Sequence, residues 1–371
     1  MKKRINVCLA LQQRVLPSYR VPFFDALAAE CQPGMHLLAG QPRPQESVEG
    51  NVLPQVAAYH QTQNLHILDG AFYLYCQRGL LDWLKKVTPG VLILDANPRF
   101  LSSYAAAKWM QARHLPIIGW GLGSQTQRGV FSPLRRMLLK FFVNRFDALI
   151  AYSVRGAREY QDLGFPAQKI FVAHNAAVTR PIHAPPRREP GYFVDRPAIL
   201  FVGRLQTRKR VDDLIHACAA LPPERQPTLT IIGDGPLRAE LQSLAEKEYP
   251  LATFTGAMHG SDLDRQFARA DLFVLPGTGG LAIQQAMSFA LPVIVGQADG
   301  TQDDLVRSEN GWQLVSGSVE ELSRTLLTAL DDVARLRQMG LASYRIVRDE
   351  INLERMVDVF VQAINSVVEV R

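Results

Sequence analysis

The sequence predicts an α/β fold of two domains, each a parallel sheet wound with helices. The chain has 371 residues, which is more than one ordinary domain holds. Short apolar runs alternate with helix-like stretches along it, a pattern typical of parallel sheets with helical crossovers. Between the two halves, residues 180–197 (RPIHAPPRREPGYFVDRP) carry five prolines and little periodicity. This composition indicates a linker, with a hinge near residue 190.

The first half contains six predicted strands. Each is a run of four to seven mainly apolar residues, and helix-like stretches lie between them. We predict strands at Ile5–Leu11, His36–Ala39, Val91–Asp95, Pro116–Trp120, Ala148–Ala151 and Ile170–Ala173, and helices at Phe23–Glu30, Leu80–Lys86 and Ser102–Arg113.

The same pattern restarts after the linker, so we expect a second sheet there. Its predicted strands include Ala198–Val202, Leu229–Ile232, Asp271–Leu275 and Val293–Val295. Two similar α/β domains predict an active site in the cleft between them, because ligands bind at the carboxyl ends of such sheets.

The composition is that of a soluble globular protein. Apolar residues make up 47% of the chain and charged residues 20%, and no apolar run approaches the roughly 18 residues of a membrane helix. The apolar run after the basic start is too short for a secretory signal. The four cysteines are scattered without a CxxC pair, which indicates neither a zinc site nor a disulfide framework. We therefore expect a cytoplasmic protein.

The charge is unevenly distributed along the chain. Residues 1–190 carry 23 Lys and Arg against 11 Asp and Glu, a net charge of +12, and the remainder carries −6. A basic half predicts an anionic partner. No nucleic-acid-binding motif is present, so no nucleic-acid partner is expected and a membrane surface is the better candidate.

One segment concentrates this positive charge. Residues 131–146 (FSPLRRMLLKFFVNRF) predict a basic amphipathic helix that could lie on anionic lipid headgroups at the inner face of the membrane. The alternative is a core helix with a solvated basic face. Its cations are Arg135, Arg136, Lys140 and Arg145, set among Leu134, Leu138, Leu139, Phe141 and Phe142.

The segment Ile199–Ile215 (ILFVGRLQTRKRVDDLI) predicts an anion site. A β-branched and apolar run ends at Gly203, and Arg204 and Lys209 follow before a helix-like stretch. A strand that turns into a helix at a glycine leaves unpaired N–H groups pointing one way. With two cations beside it, such a turn suits a diphosphate. Taken alone, the segment fits equally well with two solvated surface charges.

Three further glycine turns follow in order. Residues 231–236 (IIGDGP) form a second strand end, 254–256 (FTG) a third, and 277–281 (GTGGL) lead into an Ala/Gln/Met-rich helix. The N-terminus of that helix can hold phosphate through backbone N–H groups. A single glycine turn is ordinary loop chemistry, but the ordered series favours the diphosphate site over the surface-charge alternative.

With these turns the chain resembles the retaining family-4 glycosyltransferases of GT-B fold. The resemblance covers most of residues 198–365 and is looser in the first half, where it depends on the strand–helix layout and on Phe171–Asn175. It lies in FVGRLQTRKRVDDLI, LTIIGDGPL, FTGAM, ARADLFVLP, GGLAIQQAMSFALPVIV and DDLVRSENGWQLV.

The resemblance implies two Rossmann-like, doubly wound domains that face each other across a cleft. The first would bind the acceptor and the second the nucleotide sugar, and a C-terminal helix would pack back on the first domain. The implied boundaries are 1–180 for the first domain, 181–197 for the linker, 198–355 for the second domain and 356–371 for the helix.

The resemblance also implies roles for the glycine-turn residues. Arg204 and Lys209 would hold the donor diphosphate as the catalytic groups, because transfer builds negative charge on the leaving diphosphate and fixed cations stabilise it. These cations would do the work of a magnesium ion, so no metal or other cofactor is expected. The implied donor-binding residues are Gly203, Gly256, Ala257, Met258, Gly277, Gly279, Gly280, Leu281 and Gln285.

The chain departs from the family at two glutamates, eight positions apart, whose places are taken by Gly277 and Gln285. Gln285 can still hydrogen-bond a ribose through its amide, but Gly277 offers only backbone. A first-domain histidine near the reacting carbon is also missing, with Trp120–Ser124 nearest in its place. These losses favour an alternative in which a GT-B protein binds a nucleotide sugar or glycan without catalysis.

Polar residues in three first-half segments are candidates for acceptor contacts. Asp95 ends a predicted strand, where open α/β sheets place ligand groups. Each candidate could equally be a loop cap or a surface residue. The set is Arg20 in LPSYR; Asp95, Asn97 and Arg99 in LDANPR; and Ser124.

The expected function is retaining transfer of a sugar from a nucleotide diphosphate to a hydroxyl of a glycan or lipid-linked acceptor. Retention does not strictly need a protein base, since the leaving phosphate can accept the acceptor's proton on the same face. Another GT-B enzyme, such as a nucleotide-sugar epimerase or a phosphorylase, is a third alternative, although nothing marks the pyridoxal-phosphate lysine of a phosphorylase.

Overall fold

The computed structural model describes residues 4–43, 46, 50, 52–68, 70, 73–123, 132–189, 191–193, 195–298 and 300–369. The chain forms two compact units. One comprises residues 1–177 together with 353–371, and the other comprises 178–352. Each unit is a parallel sheet covered by helices, as the alternation of apolar runs and helical stretches predicts.

The first unit contains a seven-stranded parallel sheet, with strand order β3-β2-β1-β6-β7-β8-β9. The order reverses between β1 and β6, so the carboxyl ends of these two strands flank a crevice where α/β sheets bind ligands. A separate antiparallel pair is formed by β4 and β5. The strands are β1 Leu9–Val15, β2 Met35–Gly40, β3 Ala58–Thr62, β4 Asn64–Ile67, β5 Leu74–Gln77, β6 Val91–Asp95, β7 Ile117–Gly121, β8 Ala148–Ala151 and β9 Ile170–Val172.

The first strand lies four residues beyond its predicted position, which was Ile5–Leu11. Ile5 makes only an isolated bridge to Cys31, and the strand continues instead through Gln12 and Gln13. Both glutamines are buried. Burial is tolerated because their amides are hydrogen-bonded, with Gln12 Nε2 donating to Gln77 Oε1 at 2.6 Å.

Within the described ranges, five α-helices of the first unit precede the linker. Leu84 of α2, Met110 of α3 and Phe142 of α4 are buried in one hydrophobic cluster, and Phe24 of α1 belongs to a second cluster. The helices are α1 Val21–Ala29, α2 Leu80–Val87, α3 Leu101–Gln111, α4 Ser132–Val143 and α5 Val154–Asp162.

The second unit contains a six-stranded parallel sheet with strand order β12-β11-β10-β13-β14-β15. This is the doubly wound order of nucleotide-binding domains, with its switch point between β10 and β13. Four of its strands were predicted to within one residue. The elements are β10 Ala198–Val202, α6 Val211–Ala219, β11 Thr228–Ile232, α7 Arg238–Glu248, β12 Ala252–Gly256, α8 Gly260–Arg269, β13 Leu272–Leu275, α9 Leu281–Ser288, β14 Val293–Val295, α10 Thr301–Leu305, β15 Gly311–Gln313, α11 Val319–Asp331 and α12 Val333–Asp349.

The last helix, α13 (Leu353–Val368), belongs to the first unit. Its Phe360 is fully buried. The Phe360 ring lies 4.8 Å from Phe23 of α1 and 4.9 Å from Trp120 of β7, both edge-on. Apolar residues repeat along α13 at helical spacing and face this cluster, so burial of that stripe fixes the end of the chain on the first sheet.

Candidate functional site

The connection after β10 carries the two predicted cations. A short turn spans Thr207–Lys209, and Arg210 then adopts a left-handed conformation (φ 55°) before α6 begins at Val211. Arg204 is exposed, whereas Lys209 is only 8% exposed. The two cations therefore differ: Arg204 is a solvated side chain, and Lys209 is built into the protein.

The ammonium of Lys209 reaches the loop that follows β13. Its Nζ donates to the carbonyl oxygen of Thr278 at 2.6 Å. A Cβ on Gly279 would lie 2.5 Å from the same nitrogen, so a side chain there would displace the ammonium from its place. Burial lowers the pKa of Lys209 to about 8, and the charge of Arg208 adds to the effect.

Residues 277–280 pack directly on the turn after β10. Thr278 donates its N–H to the carbonyl of Arg208 at 3.0 Å, and the Arg208 guanidinium donates to Oγ1 of Thr278 at 2.9 Å. At Gly277 a Cβ would lie 2.2 Å from the carbonyl oxygen of Arg208. The loop ends at Gly280, and α9 starts at Leu281 without a side-chain cap. A buried ammonium and a helix N-terminus thus meet at the switch point, an arrangement that suits a diphosphate.

The other glycine turns of the second unit contact one another. Gly203 donates its N–H to Ile232 at 2.9 Å, and Gly233 donates to Gly256 at 2.9 Å. Gly233 has φ +144°, and a Cβ there would lie 1.9 Å from the carbonyl of Gly203. The turns after β10, β11 and β12 therefore lie side by side at one edge of the sheet, and the turn at Gly233 leaves no room for a side chain against Gly203.

Three of the predicted donor-binding residues, 256–258, follow one another at the end of β12. Gly256 has a positive φ of 79°, Ala257 is exposed, and Met258 packs partly on the core of the second unit. The Arg238 guanidinium lies 3.4 Å from where a Cβ of Gly256 would be. It pairs with Asp234 at 2.9 Å.

Asp234 and Arg238 are candidate residues that the sequence analysis missed. The backbone N–H of Gly235 holds the pKa of Asp234 below its usual range, and Arg238 and Arg204 add to this. The available signal was the spacing of Asp and Arg by four residues at a glycine turn, where a strand end gives way to the first turn of a helix.

The glutamine expected at the ribose is Gln285, in α9. It is half-buried, and its Nε2 lies 3.4 Å from Oδ1 of Asp264. The neighbouring Gln284 has a structural role instead. Fully buried, it accepts the N–H of Val178 at 3.1 Å and donates to the carbonyl of Ile351 at 3.0 Å.

In the first unit, Arg20 and Asp95 lie at the carboxyl ends of neighbouring strands. Arg20 stacks on the ring of Trp120 at 4.6 Å and donates to the hydroxyl of Tyr152 at 3.2 Å. Asp95 accepts from Gln13 Nε2 at 3.3 Å. Burial raises the pKa of Asp95 to about 7 against the opposing charge of Arg20. The structure therefore brings these two predicted residues together.

The other acceptor candidates are arranged differently. Oδ1 of Asn97 accepts the N–H of Arg99 at 3.1 Å, which makes Asn97 a turn residue. The carbonyl of Arg99 accepts the N–H of Tyr75 at 3.1 Å. Ser124 lies outside the described residues.

Helix α4 has an apolar stripe on each side. One stripe is buried, with Phe142 and Val143 fully covered. The other is exposed: Leu134 is 51% exposed, Met137 60%, and Phe141 58%. The core-helix alternative therefore describes only the buried side, because the solvated side is apolar as well as basic.

Two further findings concern the described residues as a whole. No helix among them is long and apolar enough to cross a membrane. Within the same ranges, no group of three or more His, Cys, Asp or Glu side chains is placed to hold a metal ion.

Comparison with known proteins extends this picture. The family model described as "Glycosyl transferases group 1" matches residues 186–345, and "Glycosyltransferase Family 4" matches 35–181. A sulfoquinovosyl transferase of Arabidopsis thaliana is 33% identical over 155 residues, 40% of this chain and 29% of that protein. A GDP-mannose-dependent alpha-mannosyltransferase of Mycobacterium tuberculosis is 38% identical over 128 residues, 34% of this chain and 32% of that protein. The chain thus spans about a third of the length of these relatives.

Among solved structures, HepE of Anabaena in complex with UDP superposes with a TM-score of 0.69 at 15% identity, covering 97% of this chain and 99% of that one. Two parallel α/β units with this likeness define a protein of GT-B fold. The two family models together match most of both units, and the chain belongs to the group 1 glycosyltransferases.

Proposed function

We propose that the protein is a retaining glycosyltransferase that moves a sugar from a nucleoside diphosphate to a hydroxyl of a glycan or lipid-linked acceptor. The observation that carries the proposal is the buried Lys209 ammonium, 2.6 Å from the Thr278 carbonyl at the switch point of the second sheet. A buried cation with only a neutral partner at hand is costly unless an anion completes the site. The donor diphosphate is that anion.

The chemistry follows from this placement. As the sugar leaves, negative charge grows on the diphosphate. The buried Lys209 and the N-terminus of α9 stabilise this charge without rearranging, and the exposed Arg204 supplies a second cation. Fixed cations make a metal ion unnecessary, so we propose that the donor binds without one. The leaving phosphate oxygen takes the acceptor's proton on the face from which it departs, which preserves the anomeric configuration.

The comparisons support the donor class. One relative is named for its dependence on GDP-mannose, and HepE was solved with UDP bound. Both ligands contain a nucleoside diphosphate group, which is the chemistry that the switch-point site favours in this chain.

A second candidate function is binding without catalysis. It rests on Gly277, where the backbone of Arg208 leaves no space for the glutamate that the family usually has. A protein that kept its diphosphate site but lost the group near the donor sugar would bind and not transfer.

One experiment separates the two functions. The full chain is incubated with UDP- and GDP-sugars, with and without membrane lipid extract and with and without EDTA, and nucleoside diphosphate release is followed. EDTA-insensitive release that increases with the extract supports the transferase. Tight binding without release favours a protein that binds the nucleotide sugar without catalysis. If the chain shows no binding and no release, both candidate functions are contradicted.

We further propose that α4 brings the first unit to an anionic membrane surface, where a lipid-linked acceptor would lie. Its exposed apolar side chains can enter the headgroup region while Arg135, Arg136 and Lys140 meet lipid phosphates. The local charge agrees with the net +12 of residues 1–190.

Liposome cosedimentation tests this contact. Binding should require anionic lipid and should fail when Arg135, Arg136 and Lys140 become Gln, or when Met137 and Phe141 become Ser. Leu341 in α12 is an exposed apolar residue of the second unit, and Leu341→Ser is the matched control that should bind as the parent does. Equal binding to neutral liposomes would contradict the proposal.

A further inference from the structure

A cavity of about 490 Å³ lies in the first unit, lined by residues 41–43, 61–64 and His66. The lining residues follow Gly40, the last residue of β2, and include the end of β3, so the cavity opens at the carboxyl edge of the sheet. That edge is where α/β sheets bind ligands. Four of the eight lining residues are Gln or Asn, although most of the surface that lines the cavity is contributed by apolar atoms, as in most ligand pockets.

One of these amides builds the wall. Nδ2 of Asn64 donates to the carbonyl of Arg14 at 2.7 Å and to the carbonyl of Gln41 at 3.1 Å. Its amide packs on Gly40, where a Cβ would come within 2.3 Å. Asn64 therefore fixes the β4–β5 hairpin against the ends of β1 and β2.

The other amides are available to a ligand. Gln41, Gln61 and Gln63 are exposed. Within the described part of the chain, the side chains of Gln41 and Gln61 form no hydrogen bond, and Gln63 has only a long contact of 3.5 Å from Arg78. Each carboxamide offers a donor and an acceptor together, which matches the paired hydroxyls of a sugar ring.

The charged side chains around the cavity form ion pairs with one another. Among the described residues that line the cavity, Arg43 is the only Lys or Arg, and its Nε lies 3.1 Å from Glu46. Glu46 also pairs with Arg14 at 2.7 Å. The Arg43 guanidinium stacks on the ring of Tyr73 at 4.9 Å. These paired arginines are poorly placed to bind an anionic ligand such as a phosphate.

The orientation of β4 also favours polar contents. Its polar residues Asn64 and His66 are the half-buried ones, whereas Leu65 and Ile67 are exposed. This reverses the usual alternation, in which apolar side chains face inward. His66 hydrogen-bonds to the hydroxyl of Tyr73 at 2.8 Å and stacks on its ring, so this lining imidazole is held in place.

We infer that this cavity binds a neutral sugar of the acceptor, with Gln41 and Gln61 donating to and accepting from its hydroxyls. The inference rests on the proposed function, which it deepens by naming the acceptor class and the residues that meet it. The amides favour hydroxyl groups over charged groups, because the cations nearby are paired with Glu46.

Saturation-transfer NMR on the full chain tests the inference. The probes are the methyl α-glycosides of glucose, galactose and mannose, with methyl glucuronide as the anionic comparison. We expect signal from at least one neutral glycoside, binding about tenfold weaker in Gln41→Ala/Gln61→Ala through two lost hydrogen bonds, and weak or no signal from the glucuronide. Gln161, an exposed glutamine on α5, gives the matched control Gln161→Ala, which should bind as the parent does.

Titration of the same samples with UDP and GDP keeps this test separate from the proposed function. Nucleotide binding without any sugar signal, unchanged sugar binding in the double variant, or a preference for the glucuronide would each overturn the inference. Sugar binding that depends on Gln41 and Gln61, in a chain that binds neither nucleotide, would instead support the cavity and count against the proposed donor site.

Discussion

The ammonium of Lys209 and the carbonyl of Thr278, 69 residues apart in the chain, are joined by a 2.6 Å hydrogen bond. This bond connects the turn after β10 to the loop that precedes α9. The turn follows β10 and the loop follows β13, and these two strands flank the switch point of the sheet. The bond therefore places a cation where a doubly wound fold binds phosphate. Loss of the cation therefore has predictable consequences for binding and for rate.

We expect Lys209→Met to lower kcat/KM by about 10²–10³-fold, the typical cost of removing one preorganised charge-stabilising group. Methionine keeps much of the buried stem, so the loss reports on charge. Steady-state kinetics with the best donor measure it, and calorimetry should show weaker nucleoside diphosphate binding. Lys247, an exposed lysine on α7, provides the control Lys247→Met, which should behave as the parent. Unchanged nucleotide affinity in Lys209→Met would remove the phosphate-site assignment.

Donor binding should also weaken at alkaline pH. Burial lowers the pKa of Lys209 from 10.5 to about 8, so the free protein loses this charge above pH 8. Binding of the diphosphate requires the charged form, and affinity should fall by up to about tenfold per pH unit above pH 8. Titrations with UDP or GDP between pH 7 and 9.5 measure the slope. Lys209→Arg keeps its charge and should bind with a flatter profile, whereas equal slopes would contradict the assignment.

Folding stability should change with pH in the opposite sense. Below pH 8 the lysine is protonated in both the folded and unfolded states, and its burial costs stability. Between pH 8 and 10.5 the unfolded chain binds more protons than the folded one, so the contribution of Lys209 to the free energy of unfolding rises with pH. Denaturant titrations should show this rise in the parent and not in Lys209→Met.

Buried parallel strands were the most predictable part of the fold. Val91–Asp95 and Ala198–Val202 were predicted to the residue, because strands covered on both faces are uninterrupted apolar runs. The pair β4–β5 was missed, since NLHI and LYCQ mix polar and apolar residues. Long-range contacts such as those of Asn64 and Gln77 define the positions of these strands.

The glycine pattern predicted where the site lies, but the sequence did not predict which groups its side chains contact. Glycine turns mark where backbones approach closely, and they located Lys209 and the loop at Gly277. The partner of Lys209 is a backbone carbonyl, which any residue at position 278 would supply, so no side-chain pattern could show it. The pairing of Asp234 with Arg238 and the stacking of Arg20 on Trp120 likewise depend on tertiary packing.

Gly277→Ala should damage the site through packing alone. A Cβ there would lie 2.2 Å from the carbonyl of Arg208, so the loop must move, at a cost of about 1–3 kcal/mol in stability. Nucleotide affinity should fall with it. Gly277→Glu, although it introduces the residue usual in the family, should be worse and not faster. Gly191→Ala is the control, because a Cβ on Gly191 meets no atom within 4 Å. A rate increase in Gly277→Glu would contradict this account.

Arg188 should prove essential for stability and dispensable for donor binding. This residue of the Pro-rich segment donates to the carbonyls of Phe267 at 3.0 Å, Ala270 at 2.8 Å and Phe289 at 3.0 Å, at the ends of α8 and α9. Its burial lowers its pKa to about 10. Arg188→Met leaves these carbonyls without their donor and should cost about 2–4 kcal/mol in the free energy of unfolding.

Denaturant unfolding of Arg188→Met, followed beside UDP and GDP titrations of the folded variant, measures both effects. The exposed neighbour Arg187 supplies the matched control, since Arg187→Met removes the same charge and the same side-chain length from the same segment without touching a helix end. We expect the control to unfold within about 0.5 kcal/mol of the parent. Equal stability of the two variants would show that other groups hydrogen-bond to the helix-end carbonyls near Arg188. A loss of nucleotide affinity in Arg188→Met at full stability would instead place this arginine in the donor site.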